Sequence, residues 1–465
     1  MFENNFRRPH LIGVGGIGVS GIARALRARG LAVQGSDVRE SSLTRALRDE
    51  GVKVMIGQRE ENIADADLVI YSTAIPESNP ERRIAASRGI PLIHRSEVLG
   101  ALMRERDSIG VLGTHGKGTT AALITWLLEQ GGRSPSFIIG GLLQNYGTNT
   151  RWREQGPVVV EIDESDGSLV NVPTDVALIN NLEADHLNYY RSGLEDVLDT
   201  FAGHLARHPE TVLFGNGDDH GTAELFARVA GKINGAPVTF GLDRDDLDYQ
   251  AREITTDGLA TRFSIHCAGE FVATARLGIP GEYNVANAIG AVAVAHRRGV
   301  PWDAIVKGLA SFRGLENRFT VVERDSMRII KDYISHPTGI RRVLEAAKAA
   351  SDRPIVAVFK PYRFTMVNYL QDDYATAFKD AAHTVITELY PAGEVPIPGI
   401  DTEYLCDRIR GAGSRVSYVP SMEGIVPFLE ERFPREHQVI FFGGDDLFAV
   451  ADSYAARVGF GERAP

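Results

Sequence analysis

The residues best suited to chemistry fall in one stretch, Val111-Leu112-Gly113-Thr114-His115-Gly116-Lys117-Gly118-Thr119-Thr120. Glycines at this spacing let backbone amides wrap phosphate oxygens, Lys117 can neutralise terminal phosphates, and a hydroxyl of Thr119 or Thr120 can reach Mg²⁺. Gly118 stands where a serine or threonine commonly follows the lysine, so the metal contact passes to the next hydroxyl or elsewhere. Downstream, Glu161-Ile162-Asp163-Glu164-Ser165-Asp166 and Asn180-Asn181-Leu182-Glu183-Ala184-Asp185-His186 offer carboxylates and an imidazole to a hard cation that bridges phosphates. Upstream lies a second glycine turn, Gly13-Val14-Gly15-Gly16-Ile17-Gly18, with Asp37 nineteen residues beyond it. Such a turn admits a pyrophosphate to a helix N-terminus, and the acidic residue suits a ribose hydroxyl. Alone, that fingerprint would suggest NAD, but it serves any nucleotide diphosphate.

These groups need strand-to-helix junctions to hold them. The first turn follows an apolar strand, His10–Val14, and leads to a helix expected over Ile22–Arg29, with further strands near Leu31–Gln34 and Asp67–Tyr71. The second follows a strand at Ser108–Leu112 and opens a helix over Thr119–Gln130. Strands at Val158–Ile162 and Val176–Asn180 end in the two acidic stretches. Both stretches thus fall on the sheet edge that carries the phosphate loop, where open α/β sheets bind ligands. A third set, Ile355–Phe359, Thr384–Glu388 and Val439–Phe442, repeats the pattern. The fold class is α/β in three domains: a Rossmann-like unit over 1–107, a P-loop ATPase-type unit over 108–319 and a second Rossmann-like unit over 320–465.

Composition narrows the class further. Fifty basic against 61 acidic residues give a net charge of −11, which argues against nucleic acid or an anionic membrane as the main partner. Hydrophobic residues at 43% and charged residues at 24% are ordinary for a soluble globular chain. Two cysteines, Cys267 and Cys406, allow no metal cluster and fit a reducing compartment. The N-terminal residues do not form a signal-peptide core, so a cytoplasmic location and a monomer or homodimer are expected.

Taken together, the motifs resemble the Mur ligases, the ATP-dependent amide-bond ligases of peptidoglycan synthesis. The resemblance covers nearly the whole chain. It is carried by the Gly13–Gly21 run, Gly35-Ser36-Asp37, Ala74-Ile75 with Asn79-Pro80-Glu81, and His94-Arg95-Ser96-Glu97-Val98-Leu99. The phosphate loop, Asp163-Glu164-Ser165-Asp166 and Asn181–His186 continue it. Later come Gly281–Asn287, Arg318-Phe319, His336-Pro337-Thr338, Arg363-Phe364-Thr365 and Tyr390–Gly399.

The resemblance implies a UDP-sugar domain, a central ATPase domain and a C-terminal domain that closes over ATP and admits an amino acid. It assigns the UDP end to Gly13, Gly15, Gly16, Gly18, Asp37 and Ser72. ATP falls to Gly113, Thr114, Gly116, Lys117, Thr119, Thr120, Asn284, Asn287, Arg318 and Asp332, and Mg²⁺ to Thr119, Glu161 and His186. Lys117, Glu161, His186, His336 and Arg363 are the implied catalytic set, with His336 and Arg363 near the incoming amine. Phe201 occupies the place where some sister ligases carry a modified lysine.

The implied reaction joins an amino acid, L-alanine in the branch matched best, to the carboxylate of UDP-N-acetylmuramate through an acyl phosphate. Ile334-Ser335-His336-Pro337 and Lys360-Pro361-Tyr362-Arg363 each lack a histidine that the family usually carries, and Phe441–Asp446 departs from its usual glycine-alanine turn. Two alternatives therefore stay open at this stage. One is a ligase that attaches a recycled tripeptide or acts on another carboxylate; the other is a nucleotide-binding regulator without catalysis.

Overall fold

The computed structural model describes residues 6–324, 327–433 and 437–457. The outer ends of the expected first and third domains, residues 1–5 and 458–465, therefore lie outside the described residues. Three sheets follow one another along the chain. The first holds β1 (Pro9–Ile12), β2 (Gln34–Asp37), β3 (Lys53–Ile56), β4 (Leu68–Tyr71) and β5 (Leu92–His94) in the order β3-β2-β1-β4-β5, all parallel.

The second sheet is built from β6 (Ser108–Leu112), β7 (Ser136–Leu143), β8 (Thr148–Arg151), β9 (Val158–Glu161), β10 (Val176–Ile179), β11 (Val212–Asn216) and β12 (Val238–Gly241). Its far end is a meander of β13 (Tyr249–Asp257), β14 (Ala260–Cys267) and β15 (Glu270–Leu277). The order is β15-β14-β13-β12-β11-β10-β6-β9-β7-β8, parallel from β13 to β7 and antiparallel at both ends. The third sheet comprises β16 (Thr320–Arg324), β17 (Met327–Asp332), β18 (Ile355–Phe359), β19 (His383–Ile386), β20 (Val416–Tyr418) and β21 (Gln438–Phe442) in the order β16-β17-β21-β18-β19-β20. Only β16 runs antiparallel to its neighbour.

The strands at Ser108–Leu112 and Ile355–Phe359 keep their expected bounds, because a buried parallel strand is a short uninterrupted apolar run. In the first unit, where the strands expected at His10–Val14 and Asp67–Tyr71 shift by one or two residues at their ends, two elements differ most. The helix starts at Ile17 rather than Ile22. Its glycines do not break it: a Cβ at Gly21 would stand 2.7 Å from Ile138 and from Thr150, so the absent side chain lets this helix lie directly on the central sheet. The second strand is Gln34–Asp37 rather than Leu31–Gln34. A Cβ at Gly35 would meet the Leu11 carbonyl at 2.7 Å, so the strand forms where the chain can press closest to β1, not where it is most apolar.

Buried apolar residues of the first unit and one face of the second make a continuous cluster that includes Leu11, Ile22, Leu112, Ile138 and Val160. The third unit has separate clusters on the two faces of its own sheet. Fusion of the first two cores makes them one platform, against which a domain with its own core can move as a body. No helix among the described residues is long and apolar enough to cross a membrane.

Candidate functional site

The phosphate loop leaves β6 and enters the helix Lys117–Gln130 through Gly116, whose φ is +79°. A Cβ there would lie 2.3 Å from Asn287 Oδ1, so both the backbone twist and the space require glycine. The loop is braced from the neighbouring strand end. Thr114 N–H donates to the Asn181 carbonyl at 2.9 Å, and His115 N–H to Asn181 Oδ1 at 2.8 Å.

The two candidate hydroxyls separate at this point. Thr120 is fully buried, and its Oγ1 accepts from Asn180 Nδ2 at 3.0 Å. Thr119 keeps partial exposure. Asn180 also reaches Asn287, which donates to Asn284 Oδ1, while Asn284 Nδ2 donates to the Pro280 carbonyl at 2.7 Å. A chain of amides thus ties the loop to the N-terminal turn of the helix Glu282–Arg297.

Lys117 Nζ donates to the Gly113 and Thr114 carbonyls at 2.6 and 3.2 Å and to Glu164 Oε1 at 2.8 Å. Burial works against its charge, but Glu164, Glu161 and Asp163 outweigh that and raise its pKa, so it stays protonated. Glu161 caps β9 with its Oε2 on Gly140 N–H at 2.6 Å. Burial raises its pKa against the pull of Lys117. His186 sits at φ +52°, with Nε2 3.7 Å from Glu164 Oε1 and 3.8 Å from Asp185 Oδ2. Its pKa is raised: burial alone would lower it, and the two carboxylates reverse the sign.

The second Glu164 oxygen is buried without a hydrogen-bond partner. A buried orphan carboxylate oxygen with a second carboxylate nearby offers the oxygen donors that a hard divalent cation takes, with the His186 imidazole at the edge of the set, so these residues fit Mg²⁺. A Cβ at Gly118 would stand 3.1 Å from Glu161 Oε2 and from Leu315, so the glycine at this unusual position leaves room for that carboxylate.

Across the first boundary, the glycine turn is folded on itself. Gly13 and Val14 N–H both donate to the Ser36 carbonyl, and Gly15 N–H donates to Asp37 Oδ2 at 2.9 Å. Asp37 therefore braces the turn. Gly16 caps the helix that Gly18 enters, and Ser72 follows β4 on the same sheet edge. Two contacts link this edge to the acidic end of β9. Arg95 Nη2 meets Asp163 Oδ2 at 2.6 Å, with the Arg95 guanidinium 3.6 Å from where a Gly18 Cβ would be. Thr73 Oγ1 donates to Asp166, and His94 Nε2 lies 3.1 Å from Thr73 Oγ1. Although burial opposes it, Arg95 and the Ser165 amide hold Asp163 at about 2.

At the boundary between the second and third units, Arg318 donates to the Tyr333 carbonyl at 2.6 Å and lies 4.0 Å from Asp332. Asp332 is buried, with one oxygen on Phe319 N–H at 2.9 Å and the other without a partner; burial pushes it up to about 6. His336 caps the helix Pro337–Ala349 and stands against His115. Arg363, at φ +63°, donates to Asn188 Oδ1 at 2.9 Å, two residues past His186. A cavity of about 640 Å³ opens between Gly281–Tyr283 and Thr338–Ala349.

Lys117, Glu161 and His186 thus share one cluster, His336 and Arg363 approach it from the third unit, and Arg318 faces Asp332 across the boundary between the two units. The UDP-side residues form a separate edge, joined to the cluster by Arg95 and Thr73. Sequence reasoning assigned no role to Glu164 as the partner of Lys117, to Asn180 and Asn181 as braces, or to Glu183. Their presence in quoted motifs was the available signal.

This arrangement, a phosphate loop with a lysine and a carboxylate–imidazole set set between two nucleotide-fold domains, is that of an ATP-using α/β enzyme of three domains. Family models match throughout: the Mur ligase family catalytic domain over residues 8–107, the Mur ligase middle domain over 111–295, and the Mur ligase glutamate ligase domain over 317–444. The chain is 36% identical to a UDP-N-acetylmuramate–L-alanine ligase of Geobacter sulfurreducens, covering 97% of each chain. It is 39% identical to one of Rhizobium meliloti, covering 94% of each. Among solved structures, it aligns with the UDP-N-acetylmuramate-alanine ligase MurC of Thermotoga maritima at a TM-score of 0.82 and 25% identity, over 98% of this chain and 100% of that one. A murein peptide ligase of Psychrobacter arcticus shares the fold at a TM-score of 0.72 and 22% identity, over 98% and 100%. The chain belongs to the Mur ligase family.

Proposed function

We propose that this chain joins L-alanine to the carboxylate of UDP-N-acetylmuramate at the expense of ATP, as a cytoplasmic step of peptidoglycan synthesis. The observation that carries the reading is the set of Lys117, Glu161, Glu164 and His186 at the phosphate loop, in a chain whose full-length relatives bear that ligase name. We assign 1–107 to UDP-sugar binding, 108–319 to ATP chemistry and 320–465 to closure and amine entry.

Because the Gly13–Gly16 amides are taken up within the turn, the pyrophosphate of the UDP-sugar is received by the N-terminus of the helix that begins at Ile17. The sugar's carboxylate then points toward the end of β9. Asn284, Asn287, Arg318 and Asp332 surround the nucleoside of ATP, and the cavity beside Tyr283 receives its base. Lys117 exchanges its contact with Glu164 for the terminal phosphate. The carboxylate oxygen attacks the γ-phosphorus as the bond to ADP breaks, giving an acyl phosphate. Thr119, Glu161 and His186 would hold Mg²⁺, which neutralises charge on the phosphate oxygens when bound.

The amine, oriented through its carboxylate by Arg363 and His336, attacks the acyl carbon and phosphate leaves. Both steps gather negative charge, so a fixed ammonium and backbone amides do the work and no side-chain nucleophile is needed. Closure of the third domain on the fused platform keeps water from the acyl phosphate.

The test is phosphate release with ATP, Mg²⁺ and UDP-N-acetylmuramate, adding L-alanine, glycine, L-serine or the cell-wall tripeptide separately, with product mass as the check. Release that needs both the UDP-sugar and L-alanine is expected. Release with the tripeptide alone would move the chain to recycling, and silence in all arms would contradict the reading.

A further inference from the structure

His115, the one ring in the phosphate loop, is used by no step above. Its Nε2 is buried without a hydrogen-bond partner and lies 3.5 Å from Glu183 Oε2. Across the boundary between the central and C-terminal domains stands His336, its ring centroid 4.6 Å from that of His115 and tilted by 50°. His336 is only 7% exposed, and its Nε2 is a second buried ring nitrogen with no partner. One ligand atom from each of His115, Glu183 and His336 lies within 4.8 Å of the other two. Donors at ~2.0–2.2 Å from a tetrahedral ion sit a little over 3 Å apart, so rotamer adjustments of about 1 Å would close the set.

We propose that His115, Glu183 and His336 form a binding site for a borderline-soft divalent cation, Zn²⁺ or its Co²⁺ surrogate, which ties the phosphate loop to the C-terminal domain. Two imidazoles and one carboxylate are a zinc set, whereas Mg²⁺ takes oxygen donors and keeps its waters. The charge states agree with this choice. Burial keeps His336 neutral by pushing it down to about 4. Burial opposes ionisation of Glu183, yet His115 and the Thr338 hydroxyl hold it at about 2. Three protein ligands leave one position of a tetrahedral ion for water.

The site shares no residue with the Glu161–His186 set. It has a built-in cost: Nδ1 of His336 accepts a long 3.3 Å bond from Thr338 N–H, and coordination through Nε2 moves the ring proton to Nδ1 and ends that contact. Capping of the helix Pro337–Ala349 and metal binding are therefore alternatives. Thr338 stays anchored through its hydroxyl, which donates to Glu183 at 3.1 Å. Because the ligands come from two domains, the bound ion holds those domains together and slows a cycle that must reopen.

The full chain, freed of metal by chelation and then saturated with Mg²⁺, is titrated with Co²⁺ while the visible ligand-field bands are followed, and with Zn²⁺ by calorimetry. One equivalent of Co²⁺, displaced by Zn²⁺, is expected. Glu183→Gln and His336→Gln should each weaken Zn²⁺ by more than the roughly 10–100-fold that outer-shell changes cost, and His186→Gln should leave it unchanged. His115→Ala replaces either variant if it loses its near-ultraviolet circular-dichroism signature. No Co²⁺ bands, unchanged affinity in the Glu183 and His336 variants, or loss confined to His186→Gln would overturn the proposal.

Discussion

Two strand–glycine–helix turns, Gly13–Gly18 and Gly113–Thr119, share a backbone plan and differ in everything charged. The first is closed by its own neighbours, with Asp37 on the Gly15 amide and the Ser36 carbonyl on two more. Its sequence holds no lysine, and the carboxylate on its amides is that brace. The second carries Lys117 among Glu161, Glu164 and Asp163, with His186 alongside. On the proposed reading, a helix N-terminus on a glycine turn holds a phosphate, while transferring one takes an ammonium and a metal-binding carboxylate set added to the same frame. Arg95, beside Gly18 and paired with Asp163, is where the two turns meet.

The largest expected effect removes what only the second turn has. Lys117→Ala should lower kcat/KM by about a thousandfold or more, as loss of a transition-state charge contact does, while calorimetry finds UDP-sugar affinity within about twofold of the parent. Equal losses in both quantities would erase the distinction between the turns. Next comes the first turn alone. A Cβ at Gly15 would stand 2.8 Å from both Asp37 Oδ2 and Thr44 Cγ2, so Gly15→Ala should raise KM for the UDP-sugar by about ten- to a hundredfold with a smaller change in kcat. Steady-state kinetics with each substrate varied separates the two, and a kcat effect that exceeds the KM effect would count against a purely binding role.

The smallest effect concerns the bridge. Asp163 has its folded pKa depressed to about 2, so the Arg95 contact stabilises fully above the unfolded carboxyl value near 3.8 and is lost as pH falls toward 2. Arg95→Met should therefore lower the thermal midpoint at pH 7 by no more than about 1 kcal/mol would, and the gap from the parent should close by about pH 2. A gap that is the same at both pH values would mean that Arg95 acts through its stem rather than its charge.

The fold was legible where periodicity and punctuation agree. Apolar runs ending in glycine turns or acidic clusters marked β6, β9, β10 and β18 almost to the residue. It was least legible at Leu31–Asp37, where apolarity favoured one segment and close backbone approach at Gly35 selected the next. The glycines of the first helix misled in the same way, since Gly21 serves a contact with the central sheet that lies over a hundred residues away in sequence.

In the site, Lys117, Glu161 and His186 were readable because strand ends on one sheet edge must meet. Glu164, Asn180 and Asn181 were not, because a carboxylate or amide inside a motif does not reveal which backbone it will brace. The pairing of His115 with His336 joins residues from different domains, and no spacing rule connects them.

The most direct test of a division between a turn that holds and a turn that transfers follows one oxygen atom. UDP-N-acetylmuramate labelled with heavy oxygen in its carboxylate is turned over with ATP and L-alanine, and the released phosphate is weighed. An acyl phosphate formed at Lys117 on a substrate held by the first turn predicts one labelled oxygen in each phosphate released. Unlabelled phosphate, with the label kept in the product or lost to water, would contradict it.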